Sequence, residues 1–167
     1  RIIEETLEML EEHPGTALTG VPSGFVDYDR LTHGLGKGTL IIIGGRPGMG
    51  KTSLALNIAS HVAIREKKTV GIFSLEMGQQ ELALRILCAE ADVFFSRIRS
   101  GHLSQQQWVK VVQKMAEIGK APMFIDDSPA LTPTELRARA RRLKREHGDL
   151  GLLVIDEEQH FGVSHKE

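Results

Sequence analysis

Eight consecutive residues, Gly45-Arg46-Pro47-Gly48-Met49-Gly50-Lys51-Thr52, have the types and spacing needed to hold a polyphosphate. They spell G-x-x-x-x-G-K-T, and Ser53 follows in the same turn. Glycine reaches positive φ at no steric cost, so successive N–H groups can turn toward one anion. A helix opening at Lys51 adds its own unpaired N–H groups and the positive end of its dipole. Lys51 is then placed to reach the β- and γ-phosphates of ATP or another nucleoside triphosphate. The Thr52 hydroxyl is placed to ligate Mg2+. A turn that bound nothing would have no need of Lys-Thr at the start of a helix.

Three acidic residues are candidates for the rest of the chemistry. Asp156 follows the apolar run Leu152-Leu153-Val154-Ile155, the Walker B arrangement, and from there a carboxylate can hold Mg2+ across from Thr52. Glu76 ends the apolar run Thr69–Leu75 and could take the proton of an attacking water, a contribution of typically ~10²–10⁴-fold. Glu157, directly after Asp156, is the rival base, and spacing alone does not separate the two.

The surrounding pattern positions these groups. Thr39–Gly44 reads as the strand before the loop, and a helix runs from the loop to about Glu66. Further strands are expected at Thr69–Leu75, Met123–Asp127 and Leu152–Asp156. Helices are expected at Gln79–Ala91, from Ser104 to about Ile118 and from Thr132 to about His147. Ser104 with Gln107, and Thr132 with Glu135, form capping boxes, and Pro133 stands at the first helical position. Strands alternating with helices imply a mainly parallel sheet covered on both faces, an α/β fold. In such sheets ligands sit beyond the carboxyl ends of the strands, where the loop, Glu76, Asp126-Asp127 and Asp156 all fall.

The chain divides into an amphipathic linker helix over 1–13, a linker over 14–23, a partial ATPase domain over 24–156 and an atypical tail over 157–167. Ile3, Leu7 and Leu10 form one apolar stripe of the first helix, free to pack on its own domain or on a neighbour. Lys and Arg total 21 against 22 Asp and Glu, so the overall charge does not point to nucleic acid. The single cysteine, Cys88, excludes an intramolecular disulfide, fits a cytoplasmic setting and reads as a small buried side chain. No run approaches the ~20 apolar residues of a membrane span, and no signal-peptide pattern opens the chain. The arginines from Arg137 to Arg145 read as the solvated outer face of a helix whose core face is Leu136, Ala140 and Leu143. The seven histidines make no metal-binding spacing, and Trp108 and Phe94-Phe95 read as core or interface.

Gly20-Val21-Pro22-Ser23-Gly24-Phe25, Asp29–Leu35, the Gly45–Thr52 loop, Phe73-Ser74-Leu75-Glu76-Met77, Ile125–Pro129 and Leu152–Asp156 together closely resemble the DnaB family of bacterial replicative DNA helicases. The resemblance covers about Arg1 to Ile155. It implies a RecA-like P-loop NTPase domain preceded by a linker helix, in a homohexamer that hydrolyses ATP and moves 5′→3′ on single-stranded DNA at the replication fork. Glu76 would be the catalytic base and residues 1–12 would dock on the adjacent subunit. A primase, a helicase loader and a cytoplasmic, nucleoid-associated setting are also implied, with no membrane. The family's DNA-binding loops, γ-phosphate sensor and arginine finger are expected to lie beyond the fourth strand, outside this sequence. An arginine finger is worth ~10³–10⁵ in rate, so this portion is expected to bind nucleotide yet turn it over poorly by itself. From Asp156 to Glu167 the sequence instead resembles motif II of superfamily-2 translocases such as RecG and the transcription-repair coupling factor, in which the residue matching Glu157 is the base. A RecA-fold ATPase of another kind, a recombinase or a signalling protein, and a nucleotide-binding assembly module without turnover are the alternatives.

Overall fold

The fold is taken from a computed structural model whose described residues are 19–157. The helix expected over 1–13, the linker as far as residue 18 and the tail from residue 158 lie outside the described residues. Two compact units meet in sequence between Ile42 and Ile43.

In the first unit, Val21 and Leu35 form an antiparallel bridge. Between them runs α1, Val26–Thr32. Asp29 is buried in this helix, where an unpaired carboxylate would be costly. It accepts from the Ser23 amide at 2.9 and 3.1 Å and from the Gly24 amide at 3.3 Å. These bonds close the Ser23-Gly24 turn onto the helix. His33 ends α1 in the left-handed region, at φ 58°.

The strand expected at Thr39–Gly44 does not form. The segment joins no ladder among the described residues, and Leu40 and Ile42 are 85% and 84% exposed. An apolar, β-branched run becomes a strand only where a neighbour supplies backbone partners. The sheet described here contains three other strands.

The second unit begins its regular structure at α2, Lys51–Ser60, which widens into a π-helical turn at His61–Arg65. Next come β1 (Thr69–Ser74), α3 (Gln79–Ala91), the short α4 (Phe95–Arg99), α5 (Gln105–Ile118), β2 (Met123–Asp126), α6 (Pro133–His147) and β3 (Leu150–Asp156). Both expected capping boxes are present: Gln107 N donates to Ser104 Oγ at 3.2 Å, and Glu135 N to Thr132 Oγ1 at 3.3 Å. The strands lie in the order β2-β1-β3, all parallel. Every residue of the central strand β1 is buried, as a strand covered on both faces requires.

Gly71, in the middle of β1, permits the close approach of α6. A Cβ there would lie 2.9 Å from Leu143 Cδ2 and 3.1 Å from Leu153 Cδ1. Val70 and Ile72 alternate with it and are almost fully buried, each contributing about 1.5–3 kcal/mol of transfer free energy. A second cluster, Ala91, Val93 and Val111 with Leu87, Ile98 and Leu103, ties α3, α4 and α5 together. Cys88 is buried as expected; burial pushes its thiol up, against the opposing pull of the Arg85 charge.

Phe94 and Trp108 are 75% and 55% exposed, so neither belongs to the core. Val111 is the buried residue of α5. The outer face of α6 is solvated and cationic, as its pattern implied. Lys144 pairs with Asp149 at 3.0 Å, and Arg139 turns back to the sheet to pair with Asp126.

Candidate nucleotide-binding site

Parallel strands put all their carboxyl ends on one rim. Asp126 ends β2 opposite Phe73, and Asp156 ends β3 opposite Ser74. Glu76 stands two residues beyond Ser74, on the exposed loop that leads β1 into α3. Asp126, Asp156 and Glu76 therefore share one edge.

The phosphate-loop segment supplies the fourth component. Arg46 O accepts from Met49 N at 3.2 Å, closing a turn with Pro47 at its second position and Gly48 at its third. Gly48 has φ +75°, the combination a type II turn requires. Gly50 follows at φ 85° and ψ 20° as the residue before α2. A side chain at either glycine would strain the turn. The first helical bond runs from Leu54 N to Gly50 O at 2.9 Å. The amides of Gly50, Lys51, Thr52 and Ser53 thus have no intrahelical acceptor and are available to an anion. The Lys51 stem folds back over the loop, its Cγ 3.4 Å and its Cδ 3.7 Å from where a Cβ at Gly45 would stand. Met49 is 74% exposed at the tip.

One contact joins the loop to the sheet rim. Thr52 Oγ1 donates to Asp156 Oδ1 at 3.1 Å, across 104 positions of sequence. The other oxygen, Asp156 Oδ2, is shielded from solvent and has no hydrogen-bond partner among the described residues. A buried carboxylate oxygen without a donor is costly. A cation held between it and the threonine hydroxyl would remove that cost. The two ligands are hard oxygens, suited to Mg2+, which keeps several waters and takes its remaining ligands from phosphate. No cluster of three or more His, Cys, Asp or Glu side chains able to hold a metal occurs among the described residues.

The loop carrying Glu76 is pinned. Leu75 N donates to Asp156 O at 3.0 Å, and Met77 N to Ser74 Oγ at 3.0 Å. Gln79 N donates to Asp127 Oδ2 at 2.9 Å. Glu157 is half-buried one residue past β3. At the end of β2, Asp126 Oδ2 accepts from Arg139 at 2.6 Å and its Oδ1 from Ser128 N at 3.1 Å. Burial alone would raise the Asp126 carboxyl, but the bonds from Arg139 and Ser128 and the Arg139 charge together hold it below its ordinary value. Sequence reasoning placed Asp126 and Asp127 at the rim but gave neither a partner. Their neighbours Gln79 and Arg139 come from separate helices, and no spacing rule links them.

A parallel α/β sheet with a G-x-x-x-x-G-K-T turn and a facing strand-end aspartate defines a P-loop nucleotide-binding domain of the RecA-like type. Residues 20–166 match the model of the DnaB-like helicase C-terminal domain, and the chain belongs to that family. The match extends through most of the tail that the sequence set apart. The replicative DNA helicase DnaB of Nostoc sp. is 44% identical over 156 residues, 93% of this chain and 18% of that protein. DnaB of Geobacillus stearothermophilus is 43% identical over 152 residues, 91% of this chain and 33% of that protein. The chain therefore spans a third or less of these relatives. A solved structure of a DnaB-like replicative helicase, described with its interactions with primase, superposes with a TM-score of 0.82 at 25% identity, over 96% of this chain and 40% of that one. A solved ATPase domain superposes with a TM-score of 0.86 at 26% identity, over 99% of this chain and 61% of that one. No helix among the described residues is long and apolar enough to cross a membrane.

Proposed function

We propose that this chain is the nucleotide-binding part of an ATP-driven replicative helicase motor. The observation that carries the reading is the Thr52–Asp156 contact, which brings a P-loop hydroxyl and a strand-end carboxylate within 3.1 Å at the rim where Glu76 also lies. The Gly45–Ser53 loop wraps the phosphates, with the amides of Gly50, Lys51, Thr52 and Ser53 turned to them and Pro47 and the Met49 amide setting the turn. Lys51 neutralises charge on the β- and γ-phosphates. Thr52 and Asp156 hold Mg2+, which offsets charge on the phosphate oxygens when bound. Glu76 accepts the proton of the attacking water. Along an extended chain successive side chains alternate, which favours Asp156 and not Glu157 on the side facing Thr52.

Family membership supports the wider setting. The whole protein is read as a homohexamer joined through the segment at 1–13, moving 5′→3′ on single-stranded DNA in the bacterial cytoplasm, at the nucleoid. A primase and a helicase loader are its expected partners. The test is ATP hydrolysis stimulated by single-stranded DNA, together with unwinding of forked duplexes carrying a 5′ or a 3′ tail. Stimulated hydrolysis with unwinding from the 5′ tail is expected. Neither activity, or strand exchange in place of unwinding, would overturn the reading.

A further inference from the structure

We infer that Asp127 is a positioning residue for hydrolysis: it fixes the loop that carries Glu76 by capping α3 from the turn that follows β2. The inference rests on the proposed role of Glu76 as the base.

Helix α3 begins directly after the Glu76-Met77-Gly78 loop, and Gly78, the residue before it, has no side chain with which to cap it. The acceptor comes instead from the end of β2. Asp127 Oδ2 takes the Gln79 amide at 2.9 Å, across 48 positions. A carboxylate at this place answers both an unpaired amide and the positive end of the helix. The two residues lie side by side: a Cβ at Gly78 would stand 3.8 Å from Asp127 Oδ2, in ordinary contact.

Asp127 is itself held. Its neighbour Asp126 accepts from Ser128 N on one oxygen and from Arg139 on the other, and Arg139 also donates to Ser128 Oγ at 2.6 Å. The adjacent carboxylates thus divide the work. Asp126 braces the turn after β2 against α6, and Asp127 reaches from that braced turn to the start of α3. With Leu75 N on Asp156 O and Met77 N on Ser74 Oγ, the residues on both sides of Glu76 are fastened. The first fastening ties the loop to the residue that bonds Thr52, and Asp127 ties its far end. Releasing that end frees Glu76 to leave the position from which it meets the water. Displacement of about 1 Å at a reacting group costs up to about 10²-fold.

The experiment is single-turnover ATP hydrolysis, with nucleotide affinity measured in parallel by a fluorescent ATP analogue. It uses the whole protein as D127A, D127N, E76Q and the double variant D127A/E76Q. D127A is expected to slow hydrolysis about 10- to 100-fold with affinity unchanged within about twofold. D127N keeps an oxygen acceptor for Gln79 N and is expected to restore most of the rate. In the E76Q background D127A is expected to add less than about twofold, because groups that act as a unit are non-additive. Equal losses from D127A in both backgrounds, a loss of affinity matching the loss of rate, or a D127N variant as slow as D127A would each overturn the inference. An E76Q variant at the parental rate would remove the base itself and the inference with it, and is recognised without reference to the Asp127 variants.

Discussion

Thr52 and Asp156 lie at the amino end of one helix and the carboxyl end of one strand, and a single 3.1 Å hydrogen bond joins them. The bond uses one oxygen of the carboxylate. The other, Asp156 Oδ2, is shielded and unpartnered among the described residues. That asymmetry fits a pair that shares a cation when nucleotide is present. Replacing Thr52 by Ala or Asp156 by Asn should therefore flatten the Mg2+ dependence of ATP binding. T52A should cost only about 1 kcal/mol of stability, the usual net worth of one hydrogen bond. Nucleotide titrations with and without Mg2+, beside urea unfolding, separate the two effects.

Glu76 and Glu157 make opposite predictions for the same assay. E76Q should bind ATP like the parent and lower turnover at least about 10²-fold, the lower range for loss of a general base. E157Q should leave turnover within about an order of magnitude of the parent. Steady-state hydrolysis in the presence of single-stranded DNA measures both. A more damaging E157Q would move the base to the end of β3, as the resemblance of the tail to superfamily-2 translocases suggests.

The Arg139–Asp126 pair should appear as a pH-dependent contribution to stability. The Asp126 carboxyl is held below its ordinary value, so its contribution is present above the ordinary carboxylate range and lost as pH falls through the depressed value. The pair is partly exposed, and screening limits it to up to about 1 kcal/mol. R139M should be destabilised by that amount at pH 7. The difference from the parent should narrow as the solution is acidified below about pH 4. Urea unfolding at several pH values checks the sign.

Gly71→Ala should be destabilising in spite of the better intrinsic propensity of alanine. The added Cβ would meet Leu143 and Leu153 at 2.9 and 3.1 Å, inside a fully buried strand. Overpacking of this kind costs about 1–3 kcal/mol, measurable as a lowered urea midpoint. Pairing G71A with L143A should recover part of the loss.

Much of this arrangement was legible in the sequence. The capping boxes at Ser104 and Thr132 and the proline at 133 fixed two helix starts to the residue, because their chemistry is local. The apolar runs ending at Glu76, Asp126 and Asp156 placed three carboxylates at strand ends, because parallel strands covered on both faces leave a near-continuous apolar trace. The run at Thr39–Gly44 carries the same trace and forms no strand, because pairing depends on a neighbour that composition cannot reveal. Trp108 and Phe94 were misread in part for a related reason. An apolar aromatic type invites a buried reading, but it does not say whether anything covers the side chain. Asp127's bond to Gln79 was invisible because it joins two elements 48 positions apart.

ATP titration of the parent protein and of K51A, in the presence of Mg2+, tests the account most directly. The Lys51 stem lies over Gly45, and its ammonium is the one cationic side chain of the Gly45–Ser53 stretch set at the helix start. The parent is expected to bind saturably, and K51A to lose most of that affinity together with hydrolysis. Binding of Mg-ATP by K51A as tight as by the parent would place the nucleotide elsewhere and contradict the account.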